Sequence, residues 1–316
     1  MNSIKYFASA ACVALAATQA ASAQLVMGSD DRSEPLQLVD LRTIRPTDQY
    51  PAPTNIADSS PIPGTAGLNV WGLTGDDTNR RLLIADVGLA PGGSQVTSNI
   101  YAYDYDTQQL SFLGRPVING TGQEISIQGL AATTDGRVFG VYNVGGTPGE
   151  GLYELDLDGA FGGGANRFIP TEARILARNL PGGESAYDFQ NLDYDPVTDS
   201  LYTINSDNDA PGGRGLYSYD LTAGTLDFVV ASPDYRRLET DFDGLATGDG
   251  KAYFTTDEPG FVYIYDLVNG GPYTDFLSPF TQGGLFAGSG YAAGLIPEPA
   301  SLGLLGLAGL ALLRRR

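Results

Sequence analysis

The side chains of this chain that could do chemistry are carboxylates and amides that recur at similar positions along the sequence. The sequence contains no histidine, and its one cysteine, Cys12, lies close to the N-terminus. These absences exclude Ser-His-Asp and Cys-His nucleophilic catalysis, as well as zinc sites built on histidine or cysteine. Oxygen ligands suit a hard cation, so Ca²⁺ is the metal that this composition favours.

The candidate ligand-binding residues occur in two recurring contexts. In the first, a polar or aromatic residue stands two positions before a leucine; in the second, a polar residue comes shortly before a Pro-Gly dipeptide. The first set is Trp71, Gln128, Gln190 and Asp243, and the second is Asp86, Asn143, Asn205, Asp207 and Asp257. Asp207 and Asp243 are the candidate calcium ligands. Because Asp and Asn at strand ends commonly accept hydrogen bonds from turn backbone, a purely structural role is the alternative.

Two short acidic strings resemble fragments of a calcium loop. They are Asp193-Tyr194-Asp195 and Asp207-Asn208-Asp209. Neither matches the twelve-residue pattern of a calcium-binding EF-hand loop, so the strings alone do not predict a site.

A repeat positions the candidate residues. An aliphatic residue, a tyrosine, any residue, an apolar residue or tyrosine, and an aspartate follow one another at 100–104, 152–156, 216–220 and 262–266. Turn-forming residues come after each copy, which is typical of a strand entering a hairpin. We expect the four tyrosines to pack between repeats and the four aspartates to form turns. They are Tyr101, Tyr153, Tyr217 and Tyr263, and Asp104, Asp156, Asp220 and Asp266.

A second string, in which glycine or asparagine precedes a leucine, comes before each copy. The leucines are Leu73, Leu130, Leu192 and Leu245, and successive leucines are separated by 57, 62 and 53 residues. Each unit then holds four antiparallel strands, which predicts one blade of a β-propeller. Four blades span residues 69–277, and strand-like segments at 36–44 and 285–295 are expected to complete a fifth.

The prediction is therefore an all-β chain with a β-propeller of four to six blades, five being the preferred number. A β-sandwich or a β-solenoid is the alternative. In a propeller, the innermost strands begin on the face that also carries the loops between second and third strands. The candidate residues are expected to share this face, called here the loop face, at the mouth of the central channel.

Residues 1–23 are interpreted as a secretory signal peptide. Lys5 provides the positive charge, an apolar run follows, and Ala21-Ser22-Ala23 places cleavage before Gln24. Signal peptidase and the export machinery are then partners, and the mature protein has no thiol because Cys12 is removed. A buried N-terminal helix is the alternative interpretation.

The C-terminus combines three elements in order. Pro297-Glu298-Pro299 is followed by an apolar stretch at 300–313 and by Arg314, Arg315 and Arg316. This arrangement resembles the PEP-CTERM sorting signal of Gram-negative bacteria, over residues 296–316. The resemblance implies that an exosortase, a membrane-embedded cysteine protease or transpeptidase, recognises the Pro-Glu-Pro motif, with the arginines as the stop after a transmembrane helix.

The resemblance also implies transient anchoring in the inner membrane, removal of the tail, and delivery to the cell surface or an extracellular polysaccharide matrix. A plain C-terminal membrane anchor is the alternative. The expected division of the chain is a signal peptide (1–23), an N-terminal strand with a Pro/Thr/Ser-rich loop (24–66), the propeller domain (67–295) and the sorting segment (296–316).

The net charge of the chain limits the classes of molecule that it can bind. The formal net charge is −19 and the pI is about 4.1, so nucleic acid is excluded as a partner because phosphate binding needs clustered Lys and Arg. We predict an exported binding or structural module, with extracellular polysaccharide as a candidate partner. The rival prediction is an enzyme, a calcium-assisted hydrolase or lactonase that uses Asn143, Gln190, Asp207 and Asp243.

Overall fold

Each sequence repeat folds into a four-stranded antiparallel sheet in the computed structural model of this chain. The structure describes residues 24–29, 34–47, 54–89, 96–117, 124–142, 151–157, 167–172, 187–206, 208–233, 242–256, 260–280 and 288–292. The expected signal peptide and the sorting segment lie outside these ranges.

The described residues form 20 strands and, within the same ranges, no helix. In chain order the strands are β1 (Gln24–Gly28), β2 (Gln37–Thr47), β3 (Thr54–Pro61), β4 (Val70–Asp76), β5 (Arg81–Leu89), β6 (Val96–Asp104), β7 (Leu110–Pro116), β8 (Gly129–Ala132), β9 (Val138–Tyr142), β10 (Gly151–Asp156), β11 (Arg167–Glu172), β12 (Phe189–Asp195), β13 (Ser200–Asn205), β14 (Gly215–Asp220), β15 (Thr225–Ala231), β16 (Phe242–Gly248), β17 (Lys251–Thr256), β18 (Phe261–Asp266), β19 (Thr274–Leu277) and β20 (Gly288–Tyr291).

The strands make a five-bladed propeller, which confirms the preferred blade number. From the centre outward, blade 1 contains β20, β1, β2 and β3, and blade 2 contains β4 to β7. Blade 3 contains β8 to β11, blade 4 contains β12 to β15, and blade 5 contains β16 to β19. The five innermost strands contact one another around the axis.

Blade 1 closes the ring with strands from both ends of the described chain. β20 pairs antiparallel with β1, with Tyr291 opposite Leu25. This pairing hides two sheet edges that would otherwise be open to aggregation. The third and fourth strands, β2 and β3, extend into the Pro/Thr/Ser-rich segment in which composition predicts a loop. β3 is an outer strand, where a proline such as Pro61 can be accommodated without loss of a ladder hydrogen bond.

Blades 2 and 3 are additionally joined at their outer edges. The outer strands β7 and β11 pair in parallel, with Arg115 opposite Arg167 and Pro116 opposite Phe168. Two blades thereby form one eight-stranded sheet, and two outer edges are covered.

The apolar core lies between blades. Within the described ranges, five clusters of buried apolar side chains form, one at each interface between neighbouring blades. Tyr153, Tyr217 and Tyr263 of the repeated string are all buried in these interfaces, as predicted. Tyr101 is half-buried and packs against the cluster between blades 1 and 2.

Candidate functional site

Trp71 and Gln128 begin neighbouring innermost strands on the loop face. The indole N–H of Trp71 donates to Asn69 Oδ1 at 3.0 Å, which fixes the ring beside the strand. The Gln128 side chain is only 8% exposed. Its Oε1 atom has no hydrogen-bond partner among the residues that the structure describes.

Asp86 and Asn205 hold the starts of innermost strands in two blades. Asp86 Oδ1 accepts a hydrogen bond from the Asn69 backbone N–H at 2.7 Å, and Asn205 Oδ1 accepts one from the Asp188 N–H at 2.7 Å. The Asn205 amide also donates to the Gly213 carbonyl at 3.0 Å. These contacts are those of the structural alternative, because each side chain satisfies backbone at a strand end.

The side chains of the other predicted residues of the loop face are not described by the structure. Gln190 and Asp243 lie in β12 and β16 by their backbone, and their side chains are not described. Three more candidates lie outside the described residues; they are Asn143, Asp207 and Asp257. In the part of the chain that the structure describes, no three Asp or Glu side chains group as metal ligands. The calcium site at Asp207 and Asp243 thus stays a prediction.

The centre of the propeller contains a buried carboxylate from one of the two acidic strings, at a position for which the sequence predicted no structural role. Asp193, in β12, is 2% exposed. Its Oδ1 atom accepts hydrogen bonds from the Thr74 hydroxyl and the Tyr194 N–H, both at 2.9 Å. Its Oδ2 atom accepts one from the Thr247 N–H at 2.7 Å, and the Tyr291 backbone donates a further one to the carboxyl group. Asp193 and these four donors are called the central junction.

The central junction connects all five blades. Thr74 lies in β4, Thr247 in β16 and Tyr291 in β20, and the Thr74 hydroxyl also accepts from the Ala132 N–H of β8 at 3.3 Å. Burial raises the pKa of the Asp193 carboxyl well above its usual value, and the donated hydrogen bonds, which favour the ionised form, oppose that rise. The carboxyl group is therefore committed to holding the innermost strands together.

A second contact also closes the axis. The Asn191 side chain donates to the Trp71 carbonyl at 3.2 Å, from blade 4 to the non-adjacent blade 2. Asn191 occupies the position where the other three repeats have glycine. Two side chains of β12, Asn191 and Asp193, therefore make hydrogen bonds to the non-adjacent blade 2.

Glycines let the innermost strands approach this closely. A Cβ atom on Gly75 would overlap the Tyr291 carbonyl oxygen, and one on Gly129 would overlap the Leu192 nitrogen. One on Gly290 would lie 2.8 Å from the Leu73 carbonyl oxygen. Because these neighbours are backbone atoms, they cannot rotate away.

The opposite face, called here the turn face, carries the hairpin turns at 77–80, 105–109, 133–137, 196–199, 221–224, 249–250 and 267–273. The predicted turn-forming role is confirmed for three of the repeated aspartates. Asp104, Asp220 and Asp266 each accept hydrogen bonds from backbone N–H groups two and three residues later. For Asp156, the turn residues from 158 onward lie outside the described ranges.

The turn at Asp266 allows a prediction about pH. The Asn269 N–H, which donates to Asp266 Oδ1 at 2.7 Å, holds the pKa of that carboxyl below its usual value. An ionised Asp266 thus stabilises the fold above pH ~4, and the contribution is lost as the pH falls through the lowered pKa. We expect wild type to be more stable than Asp266→Asn at neutral pH and equally stable in acid. Urea midpoints of both proteins across this range test it; a difference that does not change with pH would contradict it.

The turn face also contains a polar cleft between blades 3 and 4. The cleft has a volume of about 550 Å³ and is lined mainly by hydroxyl and carboxylate side chains. On one side, Tyr194 donates its hydroxyl proton to Asp199 Oδ1 at 2.6 Å. On the other side, Arg137 pairs with both oxygens of Glu154 at 2.8 Å. This cleft is not among the sites predicted from the sequence repeat.

Comparison with solved structures finds similar folds at low sequence identity. A chain of a nidogen/laminin complex has a TM-score of 0.49 at 11% identity, covering 86% of this chain and 99% of that one. A protein of unknown function from Bacteroides caccae has a TM-score of 0.46 at 10% identity, with the same coverage. The periplasmic gluconolactonase of Pseudomonas aeruginosa has a TM-score of 0.39 at 16% identity, covering 81% of this chain and 69% of that one.

Comparison of the sequence with protein families finds a match at the C-terminus. No curated protein matches the sequence of this chain. Among the described residues, no helix is both long and apolar enough to cross a membrane. Residues 295–316 match the PEP-CTERM protein-sorting motif. The chain thus carries a five-bladed β-propeller and a C-terminal PEP-CTERM motif, which implies export and exosortase-mediated sorting.

Proposed function

We propose that this protein is an exported propeller that reaches the cell surface or extracellular matrix and acts there as a binding or structural module. The observation that carries the proposal is the match of residues 295–316 to the PEP-CTERM sorting motif. In this proposal the C-terminal residues are substrate. Pro297, Glu298 and Pro299 are recognised by the exosortase, and the three terminal arginines keep the end of the tail on the cytoplasmic side.

The ends of the propeller are compatible with processing at both proposed sites. Cleavage after Ala23 would leave Gln24, the first residue of β1, in place. The Gln24 carbonyl accepts a hydrogen bond from the Ala292 N–H at 3.1 Å, so the closing sheet uses the residue directly after the proposed cleavage site. Cleavage at the sorting motif would likewise spare β20, which ends at Tyr291.

Three of the described polar side chains have structural roles, which supports a structural part in the proposed function. Asp86 and Asn205 hold backbone at strand ends, and Asp193 accepts hydrogen bonds from groups in four innermost strands. These three side chains accept hydrogen bonds within the fold and hold neighbouring strands in place.

Processing of the tail is the test of this proposal. We expect wild-type chain, produced in a Gram-negative host with an exosortase, to lose its C-terminal segment and leave the inner membrane. Replacement of Pro297, Glu298 and Pro299 by alanine should give a longer chain that stays membrane-bound, since the recognition motif is gone. Mass spectrometry of the C-terminus and membrane fractionation measure both effects.

The same host without its exosortase gene is the control for this experiment. There, wild type and the alanine variant should behave alike, with an intact tail in the membrane fraction. Removal of the tail in the absence of exosortase, or an intact tail in its presence, would overturn the proposed sorting route.

A further inference from the structure

We propose that the cleft between blades 3 and 4 on the turn face binds an uncharged, polyhydroxylated ligand, namely a segment of a glycan chain. This inference rests on the proposed function, because it gives the exported module a ligand class. The cleft volume of about 550 Å³ lies within the range of small-molecule sites. It lies on the opposite face from the residues that the sequence repeat predicted as a ligand site.

The lining suits hydroxyl-rich ligands. Exposed hydroxyls of Thr134 and Thr222 line the cleft together with the half-buried Ser200. Exposed carboxylates of Asp135 and Asp199 lie among them. Carboxylates accept from sugar hydroxyls, while threonine and serine can both donate and accept, so the two kinds of side chain match groups that do both.

The charge of the lining excludes an acidic ligand. The Thr133 hydroxyl, which donates to Asp135, lowers the pKa of that carboxyl, so Asp135 is ionised at neutral pH. Arg137 is the cation in the lining, and its guanidinium pairs with both oxygens of Glu154 and lies 4.7 Å from the centre of the Phe139 ring. Because Glu154 balances its charge and holds its position, Arg137 forms a rigid side of the cleft without adding a net positive charge. A uronic acid or a phosphate would meet a field of its own sign.

The cleft is preorganised by its turns. Asp199 has a left-handed backbone, with φ at 52°, and its carboxylate accepts the Tyr194 hydroxyl proton at 2.6 Å. Tyr194 is 7% exposed, so a buried ring holds the exposed carboxylate in place. Groups fixed before binding lose little conformational entropy when a ligand arrives. The proposed contacts to the glycan are direct hydrogen bonds from these side chains.

Blade 5 offers a matched control for Asp199. Asp249 has a φ of 53° and accepts the Tyr291 hydroxyl proton at 2.6 Å, but it does not line the cleft. Asp199→Asn and Asp249→Asn therefore make the same change at residues with a similar φ and the same kind of hydrogen bond, although Tyr194 lies in the hairpin of Asp199 and Tyr291 in the neighbouring blade. Asparagine tolerates a left-handed backbone and keeps an oxygen that can accept from tyrosine. Any loss of binding confined to Asp199→Asn is then attributable to the cleft.

The experiment uses the full-length chain in a detergent without a sugar headgroup. It is applied to an array of short oligosaccharides that are uncharged, carry amino sugars, or carry uronic acids. We expect wild type and Asp249→Asn to bind uncharged oligosaccharides, and Asp199→Asn to bind them about tenfold more weakly. Titration calorimetry with the best uncharged oligosaccharide on the array gives the dissociation constants.

Three results would overturn the glycan cleft. They are binding to no uncharged oligosaccharide, a preference for uronic acids, and equal weakening by the two asparagine variants. Thermal unfolding of each variant shows that it is folded when binding is measured. If the tail is processed correctly and no uncharged glycan binds, the glycan inference fails while the sorting proposal stands. If uncharged glycans bind but the tail is not processed, the sorting proposal fails while the glycan inference stands.

Discussion

Replacement of Asp193 by leucine is expected to lower the free energy of unfolding by about 4 kcal/mol or more. The substitution removes the acceptor for the Thr74 hydroxyl and for the N–H groups of Tyr194, Thr247 and Tyr291. Each buried donor left without a partner costs about 1–3 kcal/mol. The loss should not be local, because the donors lie in four of the five innermost strands.

Denaturant unfolding of wild type and variant measures this effect. Asp227→Leu is the matched control, because Asp227 lies in the outer strand β15 of the same blade and is exposed; we expect a change within about 0.5 kcal/mol. For Asp193→Asn, we expect a loss of unfolding free energy between those of the two leucine variants. One oxygen acceptor remains, but the new NH₂ group faces hydrogen-bond donors and cannot accept from them. A loss below about 1 kcal/mol for Asp193→Leu would show that the central junction does not hold the ring together.

Alanine in place of Gly129 is expected to destabilise the propeller by about 3 kcal/mol or more. Its Cβ atom would overlap the Leu192 nitrogen and lie 2.7 Å from the Asn191 carbonyl carbon, both of them backbone atoms of the next innermost strand. Relief requires β8 and β12 to separate, which would stretch the ring at its narrowest layer. Gly75→Ala should behave in the same way against Tyr291.

Gly136→Ala separates crowding from backbone strain. Gly136 has a φ of 87°, and a Cβ atom there would meet nothing within 4 Å, so only the left-handed backbone is penalised, by about 1–2 kcal/mol. Thermal or urea unfolding of the three alanine variants compares them directly. Equal destabilisation of Gly129→Ala and Gly136→Ala would contradict the close approach of the innermost strands.

The blades could be predicted from sequence because each one repeats the same local pattern. The tyrosine string gives β6, β10, β14 and β18, and the leucine string gives β4, β8, β12 and β16. Blade 1 lacks both strings, since its strands come from distant segments and β1 has no counterpart in the repeat. The pairing of Leu25 with Tyr291 depends on closure of the whole ring, which no local window contains.

The central junction left a signal in the sequence that could have been used. The position directly after the repeated leucine holds Thr74, Ala131 and Ala246 in three repeats, and Asp193 in the fourth. A carboxylate among small residues at the innermost strand marks a buried acceptor. The cleft left no such signal, because its walls come from turns of two blades that packing brings together.

The closing sheet has a consequence for synthesis and export. The strand β20 occupies residues 288–291 and pairs with β1 at residues 24–28. An incomplete propeller that lacks β20 therefore leaves β1 without its inner partner. If the chain crosses a membrane from its N-terminus, the inner edge of β1 stays unpaired and exposed until nearly the whole domain has emerged. Long-range pairing of this kind is slow and prone to aggregation. The open ring is therefore exposed for longest just before the last strand arrives, and truncation ahead of Gly288 should leave the ring open.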